Sequence, residues 1–349
     1  MEDELKNLVK VWITTTLCLS YCHYIVSILI PKGLLRLIFL LPVFYLFITA
    51  PLNLHSFHLC GPTIVLLVWL GISRLLLFSF NLGPLSPPPP SLFHFISLAC
   101  LPVRIQQHPP RKTSPIHHSA TKVLPSKTIV LAVKALLLGM IIHAYKYRPY
   151  LHPYVILALY CCHMYLGLEV FFPLIATPVQ ALGFELEPQS NEPYLSTSLQ
   201  DFWGRRWNLM VTNILRPTVY DPTRRVCARV VGERWSTVSA LLATFAVSGL
   251  MHDATYYYLT RVQPTLEVTW FFVLHGACVV AEVEVKKAVA GRWRLHPVVS
   301  RLLTLVFLAV TGNWLFFPQL LRNGVDTKAI QEYATMVDFV KANLPSNKS

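Results

Sequence analysis

Long apolar runs separated by short polar turns set the pattern of this chain. A membrane-crossing helix needs roughly 20 mostly apolar residues. Eight runs meet that length, at about 9–30, 33–52, 58–80, 128–146, 153–176, 236–259, 267–289 and 301–320. The first three follow one another across turns at Pro31-Lys32 and Pro51–Ser56, which predicts antiparallel neighbours. Helices satisfy their backbone hydrogen bonds internally, as lipid requires. The expected fold is therefore an all-α polytopic membrane protein of about eight spans, one membrane-embedded domain over 1–349.

Two stretches depart from the pattern. Residues 81–127 hold the run Pro87–Pro90, then Pro109 and Pro110, with Arg104, Arg111, Lys112, Lys122 and Lys127 and no acid. Proline at that density excludes a long helix, so a basic mobile loop is expected, with one membrane-dipping piece at Leu92–Val103. Residues 325–349 read as a short polar tail.

Composition sharpens the membrane reading. Hydrophobic residues make up 54% of the 349 and charged residues only 13%, about half the share of a soluble domain. The N-terminus is acidic (Glu2, Asp3, Glu4) and the first run lacks a small-residue cleavage site, so that run reads as a retained anchor. The net charge of +13 resides mostly in loops. The positive-inside rule accounts for it, with 81–127, 176–235 and 290–300 cytosolic. No basic soluble domain remains to bind nucleic acid. The eight cysteines include no C-x-x-C pair, which gives no support to a metal site or a disulfide framework.

Polar residues inside this apolar background mark candidate chemistry. Asp201-Phe202-Trp203-Gly204-Arg205-Arg206-Trp207-Asn208 crowds charge and tryptophan together. Its surroundings, Leu199 to Leu215, read as one interfacial amphipathic helix. Trp203, Trp207, Met210, Val211 and Ile214 form its apolar stripe, and Asn208 shares another face with Arg205 and Thr212. Asp221-Pro222 and Arg216-Pro217 are expected to end that helix. Asn208 could equally be a simple cap. The arginines could pair with phosphate or merely contact lipid headgroups.

The second candidate is Ser248-Gly249-Leu250-Met251-His252-Asp253, two-thirds along the sixth run. An imidazole can take a proton from an alcohol. Ser248 and Tyr256 share its helical face, whereas Asp253 points away. His23, His143, His163 and His275 also sit in apolar runs, so histidine in such a run does not by itself define a base. His117-His118-Ser119-Ala120-Thr121-Lys122 is similar to the H-H-x-x-x-D of soluble acyltransferases, with Lys122 where the aspartate belongs. Nucleophile-elbow, Walker A and dinucleotide patterns do not occur.

Taken together, these segments resemble the plant wax synthases of jojoba type, a branch of the membrane-bound O-acyltransferases. The likeness runs through Ser56-Phe57-His58-Leu59, Asn191-Glu192-Pro193-Tyr194-Leu195, the tryptophan–arginine segment, Val247-Ser248-Gly249-Leu250-Met251-His252 and Phe272-Val273-Leu274-His275-Gly276. It implies transfer of a fatty acyl group from acyl-CoA, a substrate rather than a cofactor, to a long-chain fatty alcohol. It also implies residence in the endoplasmic reticulum among membrane lipids. The family's histidine and asparagine map onto His252 and Asn208. Trp203, Arg205 and Arg206 become candidates for the acyl-CoA site, and no metal is implied. A sterol or diacylglycerol acceptor, or a non-catalytic lipid-binding scaffold, stays open. A transporter would show broken spans in two matching halves, which this chain lacks.

Overall fold

The computed structural model describes residues 1–105, 127–180, 183–289 and 295–343. His117 and His118 lie outside the described residues. Among those described, eight helices are long and apolar enough to cross a membrane. The first five are Glu2–Leu29, Leu34–Asn53, Phe57–Ser79, Thr128–Tyr150 and Pro153–Ile175. The sixth belongs to the helical stretch Leu209–Thr260, and Glu267–Val289 and Pro297–Phe316 complete the set. They coincide with the eight apolar runs of the sequence.

Contacts divide the chain into two compact units, Pro102–Gln189 and the remainder. In the smaller unit the fourth and fifth spans pack together, and Lys134 meets Glu169 at 2.5 Å. Opposite charges inside apolar spans are tolerable when paired in this way. A short antiparallel ladder sets Val103 against Leu186 and Ile105 against Phe184.

The larger unit is built around the third span, 61% of whose apolar window is buried within the protein. Two arginines are buried there, and both donate to backbone carbonyls. Arg74 donates to the carbonyls of Leu98 and Leu101 at 2.5 and 2.7 Å. Arg36 donates to Ile30 and Phe78 carbonyls at 2.9 and 3.2 Å and lies over the Phe78 ring. The acceptors of Arg74 close the helix Leu92–Cys100, whose C-terminal carbonyls carry partial negative charge. That helix buries Phe95, Leu98, Ala99 and Cys100. The piece set apart at Leu92–Val103 thus contains a helix packed into the core, because its apolar side chains find partners the local composition does not reveal.

The 325–349 segment also departs from expectation. Val325–Asn343 is a helix, and its Glu332 reaches the start of the third span. The carboxylate accepts from Ser56 Oγ at 2.8 Å, from the amides of Phe57 and His58 at 2.7 and 3.1 Å, and from His58 Nδ1 at 2.9 Å. The first turn of a helix leaves its N–H groups without internal partners, and a distant carboxylate supplies them here.

The sixth and seventh spans approach closely. A Cβ on Gly249 would stand 2.7 Å from Thr269 Cα, and one on Gly276 would stand 3.0 Å from Phe245 Cβ. Small residues permit such backbone approach between membrane helices. The N-terminal limit of the sixth span is Gly232, at φ 81° and ψ 165°, a conformation glycine adopts without steric cost. The helix Leu209–Leu215 gives way at Arg216-Pro217 to a π-helical turn, Arg216–Tyr220, and that turn gives way at Asp221-Pro222 to the next helix, with helical dihedrals at both junctions. Each proline stands in the first turn of its helical segment, where its missing N–H costs nothing.

Candidate active site

His252 lies in the sixth span, ringed by aromatic side chains from three others. Its ring centre is 4.8 Å from Trp69 of the third span, 4.4 Å from Phe272 of the seventh and 5.8 Å from Phe316 of the eighth. Tyr256, one turn on, donates to the Phe316 carbonyl at 2.7 Å. It thus fixes that wall of the site rather than the histidine.

The carbonyl of Ser248 sits 2.7 Å from His252 Nδ1. A carbonyl only accepts, so Nδ1 carries the proton. In the neutral ring Nε2 is left with its lone pair, and it makes no hydrogen bond among the described residues. Ser248 does hold the ring, as the spacing predicts, but through its backbone. Asp253 turns to the seventh span and accepts from Thr269 Oγ1.

The other histidines are differently employed. His23 bonds the Pro89 carbonyl and His163 the Tyr145 hydroxyl, while His143 is exposed. His275 is fully buried. The Trp203 indole N–H donates to its Nδ1 at 3.1 Å. Since an indole can only donate, the His275 proton is on Nε2. It goes to Thr311 Oγ1 at 2.8 Å, whose hydroxyl donates onward to the Phe307 carbonyl at 2.7 Å. Both nitrogens of His275 are consumed, and the chain of bonds ties the tryptophan–arginine segment to the last two spans.

That segment is not one helix. A short helix Leu199–Asp201 passes into a π-helical turn, Phe202–Arg206. The chain then breaks at Asn208, which adopts φ 43° and ψ 61° and starts a new helix, Leu209–Leu215. Asparagine tolerates this left-handed conformation better than most residues and caps well; its Oδ1 accepts from Val211 N at 3.3 Å. The break displaces Arg205 from the face it was expected to share with Asn208. The Asn208 Nδ2 group makes no hydrogen bond among the described residues.

The remaining candidates divide by what they touch. Trp203 packs against Phe245, Phe272 and His275 at ring distances of 5.5–5.7 Å. Arg206 meets Asp201 at 2.7 Å and the carbonyls of Asn191 and Glu192 at 3.1 and 3.2 Å. Arg205 is exposed and without a partner among the described residues. Phe272 is where the two sequence segments meet, since both Trp203 and His252 lie against it. Neither a hydrogen bond nor a ring contact joins Asn208 to His252 among the described residues, though the helix Asn208 starts packs on the third span. Trp69 went unmarked in the sequence because an aromatic residue in an apolar run carries no signal of its own.

The chain is similar to known proteins along its whole length. The family model described as membrane bound O-acyl transferase family matches residues 186–274, a stretch holding both Asn208 and His252. A long-chain-alcohol O-fatty-acyltransferase of Simmondsia chinensis is 49% identical over 99% of this chain and 98% of its own. A probable long-chain-alcohol O-fatty-acyltransferase 1 of Arabidopsis thaliana is 47% identical over 98% of each. Acyl-CoA–sterol O-acyltransferase 1 of the same plant is 42% identical over 95% of this chain and 96% of its own. Likeness of this degree along the whole length makes the chain an acyltransferase, and it belongs to the membrane-bound O-acyltransferase family.

Proposed function

We propose that this protein transfers a fatty acyl group from acyl-CoA to a long-chain alcohol, releasing a wax ester and CoA, in the membrane of the endoplasmic reticulum. The observation that carries the reading is the His252 tautomer: the Ser248 carbonyl claims the Nδ1 proton and leaves Nε2 as a base. The alcohol hydroxyl gives its proton to Nε2 as its oxygen attacks the thioester carbon. The Asn208 carboxamide, with Oδ1 spent on its cap, has its N–H groups left to bind the thioester oxygen. Arg205 is free for the phosphates of acyl-CoA, whereas Arg206 and Trp203 shape the segment beneath it. The acceptor preference follows the identity to the long-chain-alcohol enzymes.

A sterol acceptor is the second reading, favoured by the relative named for that substrate. Microsomes carrying wild type or His252→Ala, given labelled acyl-CoA and a fatty alcohol, a sterol or diacylglycerol, test both. Wax ester from wild type and none from the variant is the expected result. Sterol ester in place of wax ester would change the acceptor, and full turnover by His252→Ala would remove the base.

A further inference from the structure

Beside the His252 base lies a second group with no use inside the protein. Trp69 is 5% exposed, and its indole N–H finds no acceptor among the described residues. An indole nitrogen can only donate, and buried polar groups in native proteins nearly always have a partner. Trp203 shows the ordinary outcome, its N–H being taken up by His275. Trp69 is also held in a π-helical segment, Val65–Gly71, a widened turn frequent at functional sites.

Its ring centre is 4.8 Å from that of His252, with the planes at 58°. An unspent donor and an unspent lone pair thus stand side by side within an apolar wall that includes Phe272 and Phe316. Base and donor are the two groups that acyl transfer between neutral reactants needs. One receives the proton of the attacking hydroxyl, and the other receives the charge that gathers on the carbonyl oxygen.

We propose that Trp69 is a catalytic hydrogen-bond donor to the thioester carbonyl oxygen, a second donor beside the Asn208 N–H groups, working with His252 on the same substrate. This rests on the acyl-transfer reading above. The alcohol oxygen bonds to the thioester carbon, and its proton passes to His252 Nε2. The C=O electron pair moves onto the carbonyl oxygen, and that oxyanion accepts the Trp69 N–H. When the intermediate collapses the C–S bond breaks, and the CoA sulfur takes the proton back from Nε2. The Trp69 nitrogen is enclosed by neighbouring atoms. The carbonyl therefore reaches it as the acyl chain parts the side chains around it.

The test uses purified full-length protein with long-chain acyl-CoA and a fatty alcohol. It compares wild type with Trp69→Phe and with a form carrying benzothienylalanine at position 69. That analogue keeps the shape of the indole and replaces its N–H with sulfur, so packing is preserved where phenylalanine leaves a gap. Both forms are expected to lose about 10²–10³-fold in kcat, with KM for acyl-CoA unchanged. Wild-type kcat in the benzothienyl protein would overturn the inference, even if Trp69→Phe were slow or misfolded. Failure of the parent reading looks different: wild type itself would then make no ester, or His252→Ala would retain full activity.

Discussion

Replacing Glu332 with glutamine tests whether the C-terminal helix stabilises the third span from outside the membrane. Glu332 is 15% exposed at its side chain. Burial alone would raise its pKa. The hydrogen bonds from the His58 ring, the Phe57 and His58 amides and the Ser56 hydroxyl outweigh burial and bring it from an ordinary 4.5 down to about 2. At 1.36 kcal/mol per pH unit, that difference is worth about 3 kcal/mol of folding stability. A carboxylate whose folded pKa is depressed contributes in full above the unfolded value. Its contribution is lost as pH falls through the folded one, so the window here runs from about pH 4.5 to about pH 2. Glutamine offers one acceptor oxygen and turns an NH₂ group toward donors, so it should forfeit most of this contribution at neutral pH.

The assay is thermal unfolding in detergent, followed by a thiol-reactive dye. Cys18, Cys22, Cys60 and Cys100 are buried and free, so unfolding should expose them to the dye. At an unfolding entropy of about 2.1 cal/mol/K per residue over 349 residues, about 3 kcal/mol lowers the apparent midpoint by about 4 °C. The gap between wild type and Glu332→Gln should narrow as pH falls from about 4.5 toward 2, because acid protonates the wild-type carboxylate as well. Glu284→Gln serves as comparison, since that glutamate is 43% exposed and pairs with surface Lys287; its midpoint should not move. Equal midpoints for wild type and Glu332→Gln at pH 7, or a gap that persists unchanged at pH 3, would refute the reasoning.

Other substitutions probe the site from different sides. Asn208→Asp retains a capping oxygen and tolerates the left-handed backbone but loses the N–H donors; it should fold with a wild-type midpoint and lose about 10²–10³-fold in kcat, and normal turnover would leave Asn208 as a cap alone. Trp203→Phe keeps an aromatic ring while leaving His275 Nδ1 buried without its donor; a loss of about 1–3 kcal/mol is expected, read as a lower unfolding midpoint, and an unchanged midpoint would count against the bonded chain. Gly249→Val places side-chain atoms where a Cβ would already stand 2.7 Å from Thr269 Cα; the sixth and seventh spans should separate, lowering both yield and activity, and a variant with native yield and turnover would contradict that packing.

The number and position of the spans were legible in the chain, because an apolar run of that length has few alternatives to a membrane helix. His252 and the segment ending at Asn208 were conspicuous too, since polar residues stand out against such a background. Spacing also placed Asp253 away from the histidine correctly, because helical geometry is local. What the chain could not disclose depends on partners distant in sequence. The Leu199–Leu215 stripe implied one continuous helix, but the backbone breaks at Asn208, where the side chain caps its own new helix. Arg205 and Arg206 are neighbours with the same charge, yet one is consumed by Asp201 and two carbonyls while the other is free. Five histidines in apolar runs were equivalent by composition. Only packing decided that His275 spends both nitrogens and that His252 keeps one. Hydrophobic periodicity determines where a helix forms and which face it buries. Hydrogen-bond valence is settled across helices, so which polar atom remains unspent is a property of the tertiary structure.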